Sequence, residues 1–366
     1  MATLDGDAPA PAEILFSRDG ALGHILLNRP RAMNSLTFGM VSAMAGQLDA
    51  WRDDPRVETV VITGAGDRGL CAGGDIVSLY RAIKEDTAGA ATFWAREYAL
   101  NLAIAEYPKP YVAIMDGVVL GGGVGVSGHG SVRIVTERTK IGMPEVGIGF
   151  VPDVGGTWLL SRAPGELGTH AGLTGGSFTG ADGIELGLAD HFVASDRLDE
   201  FVEALASMSA SDALLRFASD APPSSLAAAR PWIDECYSSD DALEILDRLD
   251  RSSSAEARAA AEVIRSKSPT AVAVTLESLR RARATPTLAE VLDTEYRVSL
   301  HFAAGTEMSE GIRAQVIDKD RAPRWSPSTL AQVTRDDVES YFAPGTTGEL
   351  GVSASTPLGQ QGWSTS

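Results

Sequence analysis

Glycine in this 366-residue chain is gathered rather than scattered: dense runs lie between Gly64 and Gly74, Gly117 and Gly130, and Gly142 and Gly156. A glycine lacks the Cβ that keeps two backbones apart. Such density within ordered sequence predicts tight turns and close backbone approach to something bound. The first two runs each follow a short apolar stretch, Val57–Thr63 and Tyr111–Met115, of the kind that forms a buried strand, and each leads into a helical pattern. Strands alternating with helices through tight turns restrict the chain to an α/β layout.

The remaining periodicity fits. Glu13–Arg18 and Gly23–Leu27 read as a strand pair about a turn at Asp19–Gly20, closed by Asn28-Arg29-Pro30 because proline cannot continue a ladder. Thr37–Trp51, Asp75–Lys84, Thr92–Tyr107, Gly155–Arg162 and Ala181–Leu188 read as helices, and Ser131–Thr136 and His191–Ala194 as strands. From Leu198 onward the pattern is helical, with no convincing strand. The expected organisation is a core over 12–200 and a helical C-terminal region over 201–343. The Gly/Ser/Thr-rich tail, 344–366, is expected to be disordered and residues 1–11 to form a loose arm.

Composition narrows the partners. A net charge of −18 argues against nucleic acid or an anionic membrane surface, since phosphate binding needs clustered Lys and Arg. Cys71 and Cys236 are the only cysteines, too few for a disulfide framework or a zinc site, and a reducing compartment fits. Residues 1–11 lack the basic flank and apolar core of a signal peptide, and no apolar run reaches membrane-spanning length, so a cytoplasmic location is expected. The five histidines show no metal-ligand spacing, and no metal or cofactor is expected.

Three segments carry chemistry. Leu70-Cys71-Ala72-Gly73-Gly74-Asp75-Ile76 follows a strand and opens a helix, where free N–H groups favour negative charge. Its alternative reading is a tight turn with Asp75 as helix cap. Gly117–Gly125 lacks the Lys-Ser/Thr of a P-loop and the spacing of a dinucleotide fingerprint. Two such turns, each aiming one N–H, would make an oxyanion hole. Between Met143 and Thr157, Glu145 and Asp153 stand alone among apolar residues and glycines. They are either loop or cap residues, or carboxylates in an apolar pocket with raised proton affinity, suited to acid/base work.

These segments, in this order and with Asn28–Leu36, resemble the crotonase (enoyl-CoA hydratase/isomerase) superfamily. The resemblance implies stacked ββα units, a coenzyme A thioester as ligand, and an oxyanion hole made by the N–H groups of Gly74 and Gly122. Relatives of that superfamily commonly form trimers or hexamers, which leaves a homo-oligomer open here, and a long C-terminal extension can change that assembly. One departure selects a branch. The hydratases carry two catalytic glutamates, and the first falls here on Gly125, which has no side chain. Asp153 instead appears where hydratases have glycine. Pro144-Glu145 with Pro152-Asp153-Val154-Gly155-Gly156 is similar to the 3-hydroxyisobutyryl-CoA hydrolases, as are Glu97-Tyr98, Ser268-Pro269-Thr270-Ala271, Glu295-Tyr296-Arg297, Glu310-Gly311-Ile312-Arg313 and Pro323-Arg324-Trp325.

The resemblance therefore implies hydrolysis of a short 3-hydroxyacyl-CoA, with Glu145 and Asp153 catalytic, and Glu97 either in the acyl pocket or on a helix surface. Arg29, Arg31 and Lys319 are the candidate cations for the coenzyme A phosphates. The alternative is an enoyl-CoA hydratase or isomerase working with Glu145 alone.

Overall fold

A computed structural model describes residues 12–85, 87–344 and 349–352. Its frame is two sheets. The larger has β1 (Ile14–Asp19), β2 (Leu22–Leu27), β3 (Thr59–Gly64) and β4 (Tyr111–Met115) side by side. The smaller opens with β5 (Val118–Leu120). β6 (Val132–Val135) returns to the large sheet, β7 (Lys140–Gly142) and β8 (Phe178–Thr179) to the small one, and β9 (His191–Phe192) ends the large one. The β1–β2 hairpin is antiparallel and every later neighbour in the large sheet is parallel. Buried on both faces, Val60–Ile62 of β3 and the whole of β4 read as unbroken apolar runs, as parallel strands do.

Each unit places a strand in the large sheet, then a shorter strand or bridge in the small one, then a helix. The helices of this part are α1 (Phe38–Arg52), α2 (Ile76–Glu85), α3 (Thr87–Ala105), α4 (Gly122–Gly125), α5 (Gly156–Ser161), α6 (Leu167–Thr174) and α7 (Gly180–Glu185). Single bridges, Leu36 to Gly74 and Cys71 to Val119, continue the small sheet into the earlier units. The stacked ββα arrangement expected from the sequence is present.

The rest of the chain is helical: α8 (Leu198–Ala204), α9 (Ala210–Phe217), α10 (Ser225–Tyr237), α11 (Ala242–Arg251), α12 (Ala255–Arg265), α13 (Pro269–Ala284), α14 (Leu288–Ala304), α15 (Glu307–Ile312) and α16 (Arg335–Ser340), with a π turn at Arg313–Ile317. α13 packs on α5, and α14 on α3. One apolar cluster runs from Ile25 to Phe342, so α10 to α16 share the core of the ββα part, while α8 and α9 pack in a second cluster against Val61, Val112 and Ile134 of the large sheet. Trp94, Tyr98 and Phe302 are among the largest fully buried side chains. Removing an aromatic of that kind to alanine costs about 3–5 kcal/mol.

Of the tail expected to be disordered, the described part is held. Glu349 pairs with Arg297 at 2.6 Å, and the Val352 N–H donates to Asp293 at 2.9 Å. The rest of that tail and the expected N-terminal arm, residues 1–11, lie outside the described residues. No helix of the described residues is long and apolar enough to cross a membrane.

Candidate active site

The register of the small sheet explains why three distant segments meet. Cys71 bridges Val119, and Val119 pairs with Ile141 in parallel. Three short strands therefore run side by side and in step, and the chain leaves each at the same end. Three residues beyond those partners stand Gly74, Gly122 and Pro144, with Glu145 next. Ligands in parallel sheets collect at the carboxyl ends of strands, and these three exits form one mouth.

The two expected donors face each other. A Cβ on Gly122 would lie 3.2 Å from the Gly74 nitrogen and 2.8 Å from Glu97 Oε1. Neither the Gly74 nor the Gly122 N–H has an acceptor among the hydrogen bonds of the described residues. Gly122 opens α4, so its N–H is one of the groups a helix start leaves unpaired. Gly121 is glycine for a separate reason: its φ is 51°, and a Cβ there would sit 2.6 Å from Glu145 Oε1. Asp75 also does what its alternative reading required, accepting the Ser78 N–H at 3.2 Å to cap α2. The capping and oxyanion readings of that turn coexist.

Beneath the donors lies a cavity of about 170 Å³ lined by Glu97, Glu145 and Asp153 together with Ile76, Phe93, Trp94, Ile148, Phe150 and Met308. All three carboxylates are at most 6% exposed, and Glu97 Oε1 and Glu145 Oε2 have no hydrogen-bond partner among the described residues. Burial raises the proton affinity of each. It pushes Asp153 up to about 7, opposed by the Tyr98 hydroxyl, which donates to Oδ2 at 2.7 Å. Glu145 is raised well above the usual range by burial, then by the Asp153 charge, and Glu97 likewise. Carboxylates whose proton affinity is raised in this way are suited to exchanging protons with a bound molecule.

The walls are rigid. Trp94 stacks on Phe150 at 5.6 Å, and Phe150 meets Phe302 edge-on at 5.8 Å. Glu145 opens a 3-10 turn, Glu145–Ile148, and the C-terminal helices brace it. The Ser268 N–H donates to Val146 O at 3.2 Å. The Ser268 hydroxyl bonds Glu307, whose other oxygen accepts the Ser326 N–H at 2.8 Å. A Cβ on Gly311 would collide with Ile148 backbone at 2.2 Å, and one on Gly149 with Glu307 O at 2.4 Å. The C-terminal motifs singled out in the sequence thus converge on the loop that carries both acids.

Gly125 has no room for the second hydratase glutamate. A Cβ there would meet Val154 Cβ at 2.8 Å and Asn101 Nδ2 at 2.9 Å. Glu97 lies in the cavity, not on a helix surface. Of the candidate cations, Arg29 has all three guanidinium nitrogens engaged, by Glu13 at 3.1 Å, Asp75 at 2.9 Å and Ser35 at 2.6 Å. It locks the loop before α1 to the turn before α2. Arg31 and Lys319 are exposed and line no part of the cavity. Cys71 is buried and its thiol is pushed up to about 12, so it is a packing residue. Tyr98, Trp94 and Met308 received no role from the sequence. Tyr98 lay inside a singled-out motif, whereas nothing local to Trp94 or Met308 marks them.

Two converging backbone donors above a small cavity lined by three buried carboxylates are the parts an enzyme needs to polarise a carbonyl and move protons around it. The chain belongs to the enoyl-CoA hydratase/isomerase family, whose model matches residues 22–342. It is 41% identical over 342 residues, 90% of this chain and 89% of the relative, to the Rattus norvegicus protein named 3-hydroxyisobutyryl-CoA hydrolase, mitochondrial. Among solved structures, one from Mycobacterium thermoresistibile named a carnitinyl-CoA dehydratase shares 53% identity, with a TM-score of 0.90 over 92% of this chain and 98% of that one. One from Rhodobacter sphaeroides 2.4.1 named an enoyl-CoA hydratase shares 40%, with a TM-score of 0.88 over 93% and 99%.

Proposed function

We propose that the chain hydrolyses a short-chain 3-hydroxyacyl-CoA thioester, 3-hydroxyisobutyryl-CoA above all, the hydrolysis that belongs to valine catabolism. The observation that carries this is the pairing of carboxylates. Asp153 and Glu145 share one small cavity with two free N–H groups, while position 125 is packed shut against a second hydratase acid. The thioester oxygen takes the Gly74 and Gly122 N–H groups, whose bonds strengthen as charge builds on it. Ionised Glu145 either attacks the carbonyl carbon, expelling the coenzyme A thiolate to leave an anhydride that water opens, or takes a proton from an attacking water. Asp153, oriented by Tyr98, binds the 3-hydroxyl, and Glu97 closes the acyl pocket.

The reading asks for no cofactor beyond the coenzyme A of the substrate. Arg31 and Lys319 are the cations left to meet its phosphates. Two buried, unpaired cysteines support a reducing compartment and the cytoplasmic placement, although the rat relative is named mitochondrial.

The 53% identity to a protein named a dehydratase favours a second reading, a lyase that adds or removes water at the 2,3-bond using Glu145 alone. The role of Asp153 tests the first reading. Thiol release should favour 3-hydroxyisobutyryl-CoA over isobutyryl-CoA by more than about tenfold, and Asp153→Asn should remove most of that preference. Equal rates on the two thioesters would count against it.

A further inference from the structure

The turn behind Asp153 is held by a carboxylate from a distant helix. Val154 stands at φ 55°, in the left-handed region that β-branched residues rarely adopt. Gly155 follows at φ 76° as the cap of α5 and has no side chain to offer the first N–H groups of the helix. A local cap cannot replace it, because a Cβ at 155 would lie 2.5 Å from His129 Nε2. Glu295, on α14, supplies the cap instead. Its Oε2 accepts the Gly155 N–H at 2.7 Å, and Oε1 accepts the Thr157 N–H at 3.0 Å and the Thr157 hydroxyl at 2.5 Å. One turn along α14, the Ser299 hydroxyl lies 2.8 Å from the Tyr98 hydroxyl, which bonds Asp153. The same helix therefore holds the turn after Asp153 through the Gly155 and Thr157 N–H groups, and the Asp153 side chain through Tyr98. Glu295 is 3% exposed and lines no part of the cavity, so it cannot touch substrate.

Burying a carboxylate is costly unless donors surround it, and a helix N-terminus supplies both N–H groups and a favourable dipole. Capping alone would have been met by a Ser or Asp nearby in sequence. The need here is for a cap compatible with the left-handed pair Val154 and Gly155, which aims Asp153 into the cavity.

We propose that Glu295 is a positioning residue of the active site, fixing the Asp153–Gly155 turn so that Asp153 and Glu145 face the same carbonyl. The inference rests on the acyl-CoA reading above. The titratable groups around Glu295 are Asp153 and Tyr98, with Glu145 and Glu97 beyond, His129 across the Gly155 turn, and Arg281 on α13, which is paired with Glu277 and Glu339. Among them Glu145 feels the Glu295 charge as an opposition to its own ionisation.

The test is Glu295→Gln, which keeps the shape but turns one oxygen into a group that cannot accept. Amide exchange at Gly155 and Thr157 should quicken, and kcat should fall about 10- to 100-fold with KM within about threefold. The acid limb of the kcat profile should move to lower pH, because a charge opposing Glu145 ionisation has gone. Thr157→Val removes one donor and leaves the charge, so it should give a smaller loss with the acid limb unmoved. A folded Glu295→Gln with unchanged exchange, or with kcat within about twofold of wild type, would overturn the proposal. If the glutamine variant does not fold, Thr157→Val with wild-type exchange and kcat does the same. A wild-type enzyme that hydrates crotonyl-CoA without releasing thiol would overturn the hydrolase reading alone, since exchange and kcat are then compared on hydration.

Discussion

Glu145 and Asp153 could be found in the sequence because each stands alone in an apolar, glycine-rich stretch, where a carboxylate has no ordinary reason to be. Their depth, and the proton affinity it produces, could not, since burial comes from Trp94, Phe150 and Met308, which other segments contribute. Arg29 shows the converse. Its place in a family motif suggested phosphate binding, yet Asp75 and Glu13, far off in sequence, occupy it. At this scale two outcomes are expected. Glu145→Gln should lower thiol release by about 10²- to 10⁴-fold with little change in KM, the usual worth of a positioned acid or base. Gly122→Ala should cost about 10²- to 10³-fold, because its methyl enters the space between Gly74 N–H and Glu97 Oε1 that the proposed mechanism gives to the oxyanion. Steady-state kinetics on both variants checks them, and rates within tenfold of wild type would refute the assigned roles.

Elements of eight or more residues with steady periodicity were mostly legible: α1, α13 and α14 lie close to where apolar spacing puts them. The small-sheet strands were not. β5 is three residues inside a glycine run and β7 is three residues before Met143, too short for alternation to register. α10 was missed because Pro231 interrupts it, and α6 because glycine and threonine dilute its pattern. Those short strands set the register that brings the three glycine segments together, so motif order was readable and the convergence was not. Two variants probe the elements. Gly125→Ala, pressed on Val154 and Asn101 from α4, should destabilise the fold by about 1–3 kcal/mol through overpacking. Ser268→Ala removes the side-chain acceptor for the Ala271 N–H that caps α13 and leaves Glu307 short of a donor, and should cost about 1–2 kcal/mol. Urea unfolding measures both, and changes under about 0.5 kcal/mol would contradict the packing described.

Across the whole molecule, the buried carboxylates give stability a definite pH dependence. Asp153 is pushed to about 7 and Glu295 to about 8, chiefly by burial. The folded chain then keeps protons that the unfolded chain gives up from about pH 4, so stability falls as pH rises toward 8. His129 and His170 act oppositely, because burial lowers both to about 4 and the unfolded imidazoles bind protons below about 6.5. Above that pH their contribution is constant. Between about pH 6.5 and 8 the carboxylates alone remain, and the melting temperature should decline. A melting temperature that rises over that window would contradict the burial of the acid cluster. The fold class was legible from strand–glycine–helix succession, but the sharing of one core by the ββα part and the C-terminal helices was not, since only contacts such as α14 on α3 reveal it.

The decisive measurement is free-thiol release from 3-hydroxyisobutyryl-CoA by the purified protein, run beside water addition to crotonyl-CoA. Fast thiol release with little hydration is the result that a Glu145–Asp153 pair beneath the Gly74–Gly122 donors predicts. Hydration without thiol release would mean that this cavity performs lyase chemistry, and that neither the closed position 125 nor Asp153 sets the reaction.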